Sequence, residues 1–101
     1  MNFVIVAHDG RDEGALKRRL SCRAEHMAGI KAGKADGTIV DGGAMLDDAD
    51  RMVGSVVLCE FPDRAALDEY LGREVYVTQG VWADITVHKI RRIDWASLMS
   101  D

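Results

Sequence analysis

Apolar positions along this chain recur first with a period of two, then of about 3.6, then of two again, and that rhythm lays out its elements. Residues 2–8 alternate as a strand, with Phe3, Ile5 and Ala7 on one side and Val4, Val6 and His8 on the other. Both sides are largely apolar, as suits an interior strand covered on both faces. Asp9-Gly10 predicts the turn that ends it. Residues 12–34 predict a long helix, with Asp9 or Asp12 available as its cap and acidic residues crowding its first turn. Leu16, Leu20, Met27 and Ile30 fall in one narrow stripe, which predicts the helix's apolar face. Gly33 or Gly37 can close the helix in a left-handed cap.

Residues 38–45 predict a second strand, interrupted by Gly42-Gly43, a pair that suggests a bulge or a close backbone approach. An Asp-rich hairpin loop over 46–51 leads into a third strand over 52–61. Pro62 or Asp63 opens a second helix over 63–72, with Ala65, Leu67 and Leu71 among its apolar positions. Residues 72–80 are looser, with room for one short helical turn. A last strand over 82–91 puts Ile85 and Val87 on one face. The stretch from about 93 to 101 is a polar tail holding Trp95, Leu98 and Met99, groups suited to docking on a partner subunit.

The order β-α-β-β-α-β predicts an α+β, ferredoxin-like domain spanning residues 1–101. Four strands with helices on one face leave the other face open. The same face of a second copy is the simplest cover, so a homodimer through the sheet faces is expected. With 101 residues the chain has little stability margin to spare, which points the same way.

Charge narrows the partners. Thirteen basic and seventeen acidic residues give a net charge of −4, so no basic surface advertises nucleic acid. The basic runs at Lys17-Arg18-Arg19 and Lys89-Ile90-Arg91-Arg92 sit among acidic residues. The apolar run at the start is too short for a membrane span and lacks signal-peptide anatomy, so the cytoplasm is the expected location. Cys22 and Cys59 lack a metal-ligand spacing and are expected as two free thiols.

One local conflict stands out. Arg23 lies in the middle of the apolar stripe of the first helix, and His26 lies on its edge one turn later. A guanidinium there must reach solvent or find a carboxylate. His26 is the best candidate for proton transfer, because imidazole titrates near neutrality. Asp41 or Glu74 is the carboxylate that could fix its tautomer. Arg23 could hold an anion in two parallel hydrogen bonds, and Tyr76 could donate to a carbonyl or enolate oxygen. Beside these stand plainer readings: an exposed helix-face pair, a turn aspartate before two glycines, and a core tyrosine with its hydroxyl at the rim. Three scattered histidines argue against a metal site. No nucleotide-binding loop or nucleophile elbow is present, so no cofactor is expected.

In order and spacing, several marks over residues 3 to 91 resemble the YciI-like (YCII-related domain) family. They are Arg23-x-x-His26, Gly37 before a short strand to Gly43, Gly54 at the start of the third strand, and Tyr76-x-x-x-Gly80 before the last. The resemblance implies a dimeric α+β barrel, similar in fold to muconolactone isomerase, with a pocket in each subunit around His26. It also implies a lyase or isomerase activity, since one relative is a dehydrochlorinase of a chlorinated hydroxyhydroquinone. Where the family commonly has Asp-Pro-Tyr, this chain has Glu74-Val75-Tyr76, so the acid is one methylene longer and the rigid proline is gone. The expected ligand is a small anionic or phenolic molecule. The competing reading is a non-catalytic small-molecule-binding or accessory protein on the same scaffold.

Overall fold

A computed structural model describes residues 1–100. Strand β1 spans Asn2–Asp9, followed by helix α1, Ala15–Asp36, and the hairpin of β2, Ile39–Leu46, and β3, Met52–Glu60. Helices α2, Arg64–Arg73, and α3, Val75–Thr78, lead to β4, Trp82–Ile90, and a last turn, α4, Trp95–Leu98. The strands form one sheet in the order β2-β3-β1-β4, and every neighbouring pair is antiparallel. This is the α+β, ferredoxin-like arrangement. No described helix is long and apolar enough to cross a membrane.

Alternation along the strands sorts the residues as expected. Phe3, Ile5 and Ala7 pair with Cys59, Val57 and Ser55 on the buried side beneath the helices. Ile85 and Val87 continue that side on β4, half-buried against the core. Val4 and Val6, opposite Leu58 and Val56, face the uncovered side of the sheet. The helices are fastened by Leu67, which is fully buried, and by Tyr76, Val75 and Phe61. Asp63 caps α2, its carboxylate accepting from the Ala66 amide at 2.8 Å. Ala65 points outward and is exposed, contrary to the expected apolar face of this helix.

The first helix departs most from expectation. It starts at Ala15 after an uncapped Gly14, with no acid in its first turn. Asp12 instead pairs with Arg18 at 2.9 Å, and Asp9 belongs to β1. Its C-terminus is closed by Gly37 in the left-handed conformation, φ 90°, while Gly33 lies inside the helix. The buried residues are Ala15, Arg19, His26 and Gly33, with Cys22 and Ile30 half-buried. Leu16, Leu20 and Met27 are exposed. At 100° per residue, the buried face is turned about 90° from the apolar stripe. The cause is steric and polar together. Gly33 packs so closely on Ile39 that a side chain there would collide with it, and Arg19 and His26 find acceptors inside the protein.

Candidate functional site

His26 projects from α1 toward the loop between α2 and α3. Its Nδ1 lies 2.7 Å from Glu74 Oε1, and both side chains are almost wholly buried. Glu74 also opens α3. Its Oε1 accepts from the Tyr76 amide at 3.1 Å, and its Oε2 accepts from the Tyr70 hydroxyl at 3.0 Å. One carboxylate therefore caps a helix and orients an imidazole. Burial alone would push the Glu74 carboxyl up. The hydrogen bonds from His26, the Tyr76 amide and Tyr70 outweigh that and hold it below its ordinary value. The Tyr70 hydroxyl is pushed far up by burial and by the Glu74 charge, so it stays a donor. An ionised Glu74 accepts from Nδ1–H, which leaves Nε2 as the ring nitrogen that can exchange a proton.

Tyr76, only 1% exposed, lies flat on the imidazole, with ring centroids 3.8 Å apart and planes 5° from parallel. Trp82 meets both rings edge-on. The phenol of Tyr76 is pushed up by burial, against the lowering pull of Arg19 and Arg23. Beyond Tyr76 sits a buried ion pair. Arg19 Nη1 donates to both carboxylate oxygens of Asp9 at 3.0 and 3.1 Å, and Nη2 donates to Ser55 Oγ at 2.9 Å. The Trp82 indole donates to the same oxygen at 3.1 Å.

A hollow of about 400 Å³ opens between α1, β2 and β3, and His26 and Tyr76 form part of its wall. Ile39 and Val57 give it an apolar lining, and Arg23, Lys34 and Asp41 add charge. Gly42 keeps β2 close to its neighbour, since a side chain there would meet the Val56 carbonyl at 2.5 Å. The register of β2 shifts between Ile39 and Asp41, just before the glycine pair.

Of the residues singled out in the sequence, the fold brings His26, Glu74 and Tyr76 into contact, with exposed Arg23 on the same hollow. Asp41 also lines it but stays exposed and accepts from the Gly42 amide at 2.7 Å, while the His26 Nδ1 is bonded to Glu74. Asp9 is expected only as a turn or helix cap and Arg19 only within a basic run, and Ser55 and Trp82 carry no expected role at the site. Asp9 could have been found, because its odd number places it on the face of Ile5 and Ala7, where an acid needs a cation. Arg19 sits seven residues before His26, which is the same side of a helix. Among the described residues no cluster of three His, Cys, Asp or Glu could hold a metal ion.

Comparison with known proteins matches the YCII-related domain over residues 1–91. Protein YciI of Escherichia coli is 29% identical over 99 residues, covering 92% of this chain and 99% of that protein. A 5-chloro-2-hydroxyhydroquinone dehydrochlorinase from Burkholderia phenoliruptrix, solved with 2,5-dihydroxybenzoquinone, superposes with a TM-score of 0.80 at 24% identity. That match covers 94% of this chain and 98% of the other. A dimeric ferredoxin-like protein of unknown function from Jannaschia gives a TM-score of 0.52 at 19% identity, covering 90% of this chain and 98% of that one. Both structural likenesses speak to the fold.

Proposed function

The chain belongs to the YCII-related domain family, and on that premise we propose that the hollow beside His26 is the pocket of a cofactor-independent lyase or isomerase. The observation that carries this reading is the 2.7 Å bond between His26 Nδ1 and Glu74. It fixes one tautomer and leaves Nε2 to take a proton from a bound molecule. The imidazolium so formed is balanced by the Glu74 carboxylate. Tyr76 donates to the oxygen on which charge develops, and Arg23 holds an anionic group of the substrate. In an isomerase the proton returns at another carbon; in a lyase a leaving anion departs and the proton is released with it. The substrate is a small anionic or phenolic molecule, as the apolar lining and rim cations suit.

The working unit in this reading is a homodimer joined through the open sheet faces, where Val4, Val6, Val56 and Leu58 stand side by side. The free thiols Cys22 and Cys59 suit a cytoplasmic location.

The test uses 5-chloro-2-hydroxyhydroquinone as trial substrate and 2,5-dihydroxybenzoquinone as trial ligand, the molecules of the structural relative. Chloride release should be catalysed by the wild type. In His26→Ala it should fall by roughly 10²- to 10⁴-fold, the usual worth of a general base. Turnover by His26→Ala equal to wild type removes His26 from the chemistry. Equal binding of 2,5-dihydroxybenzoquinone by both proteins, with no turnover by either, favours the non-catalytic binding protein.

A further inference from the structure

We infer that Arg19 is a positioning residue of this pocket: anchored by Asp9 and Ser55, its guanidinium backs the Tyr76 ring and keeps it stacked on His26. The inference rests on the reading of His26 as the centre of the pocket, but it concerns the free protein and can be tested without a substrate. Arg19 is 3% exposed, too deep to serve as a surface charge. Four of its five N–H groups lie on the two terminal nitrogens, which donate to Asp9 and Ser55, while Nε finds no acceptor among the described residues. Held in this way, the guanidinium lies over the Tyr76 ring, its central carbon 5.0 Å from the ring centroid.

Helix geometry explains why the ring fits there. Arg19 and His26 are seven residues apart, so both leave α1 on nearly the same side, separated by about 10.5 Å along the axis. The 5.0 Å from guanidinium to ring and the 3.8 Å from ring to imidazole nearly fill that gap. Tyr76 thus has two side chains of one rigid helix set against its ring. It needs that support, because α3 is only four residues long and cannot hold a side chain by its own stability. Trp82 closes the edge of the stack and is tied to the same Ser55 oxygen that Arg19 uses. Strands β1, β3 and β4 thereby set the place of the phenol through Asp9, Ser55 and Trp82. The two arginines divide the work: Arg23 stays exposed at the hollow, and Arg19 fixes a wall.

The chain has three histidines, so the carbon-bound ring protons of His26 can be assigned by substitution and followed by NMR. A parallel ring 3.8 Å away displaces them upfield relative to those of His8 and His88. Tyr76→Leu defines the signal without the stack. Arg19→Lys keeps a cation for Asp9 but lacks the planar face. In both Arg19→Lys and Arg19→Met the His26 signals should move at least halfway to their Tyr76→Leu positions, while backbone amides of the sheet stay folded. If Arg19→Lys folds and leaves the His26 signals at wild-type positions, Arg19 is only the counter-ion of Asp9 and the inference fails. Unfolding of both variants overturns it too, since Arg19 would then serve the fold as a whole. Loss of the His26 catalytic role would leave these signals unaffected, so the two readings fail separately.

Discussion

Replacing Glu74 separates a charge from the hydrogen bonds it receives. Glu74 accepts from His26 at 2.7 Å, Tyr70 at 3.0 Å and the Tyr76 amide at 3.1 Å. Glu74→Gln keeps the shape. Its one carbonyl oxygen can serve His26 and the Tyr76 amide, and its NH₂ can donate to the Tyr70 hydroxyl, which is able to accept. What it loses is charge assistance, the difference between about 1.5–3 kcal/mol for a bond to a charged group and about 0.5–1.5 for a neutral one. Summed over the His26 and Tyr70 bonds, that is about 2–3 kcal/mol of stability. Glu74→Ala strands the His26 Nδ1–H and the Tyr76 amide inside the protein, at about 1–3 kcal/mol each, while Tyr70 can turn toward water. A cost of about 3–5 kcal/mol follows, a large share of the roughly 5–15 kcal/mol that holds a domain of this size together.

Urea unfolding followed by circular dichroism measures both, with the slope checked for constancy. A pH series adds a second arm. The Glu74 carboxyl is held below its ordinary 4.5, so its stabilisation is complete above that pH. It disappears as pH falls through the lowered value in the folded protein. Wild type should therefore lose its advantage over Glu74→Gln on acidification, and Glu74→Gln should lack this component. An alanine variant that costs less than about 1 kcal/mol, or no more than glutamine, would refute the account of Glu74 as a three-way acceptor.

The buried pair of Asp9 and Arg19 makes a sharper demand: Arg19→Met or Asp9→Leu alone should cost about 3–5 kcal/mol, while the double variant should recover much of that in a double-mutant cycle. Additive losses in denaturant titrations would show that the two charges are not coupled. On α1, Gly29→Ala meets no atom within 4 Å and should raise stability by about 0.5–1 kcal/mol, whereas Gly33→Ala would collide with Ile39 and should lower it. Opposite shifts in melting temperature are expected, and equal ones would discredit the close approach of α1 to β2. On the open sheet face, Val6→Asp and Val56→Asp should turn a dimer into a monomer in sedimentation equilibrium. A wild-type protein already monomeric at assay concentration would refute the face-to-face dimer.

The strands were legible because alternation is a local property: Phe3, Ile5 and Ala7 share a face whatever the rest of the chain does. The order of elements along the chain and a second helix opening at Pro62 or Asp63 followed from the same kind of local signal, and Asp63 proves to be the cap. The rotation of α1 was not legible, and the reason is physical. A hydrophobic stripe predicts the buried face only when burial is decided by apolar area, at about 25 cal/mol per Å². Here two polar side chains occupy the interior because acceptors wait for them on other elements: Asp9 and Ser55 for Arg19, Glu74 for His26. Those acceptors lie 10, 36 and 48 residues away in sequence, beyond the reach of any helical period.

The same non-local pairing explains why Asp41 and Glu74 were indistinguishable as partners of His26 by residue type alone. The fold separates them through the backbone around each. Asp41 precedes Gly42 in a strand and satisfies its carboxylate on the next amide. Glu74 caps α3, so its carboxylate must turn inward to reach the Tyr76 amide, and that turn carries it to the imidazole. The longer side chain is no obstacle: Glu74 sits at φ −68° and ψ 126°, an ordinary extended conformation that needs no proline to hold it. A shorter acid on this backbone would have to choose between cap and histidine. Glu74→Asp should thus cost more than Glu74→Gln in stability unless Val75→Pro, which fixes the first residue of α3, is introduced with it. Equal stability of the Asp single and the Asp-Pro double variants would show that side-chain length and backbone shape are not linked at this corner.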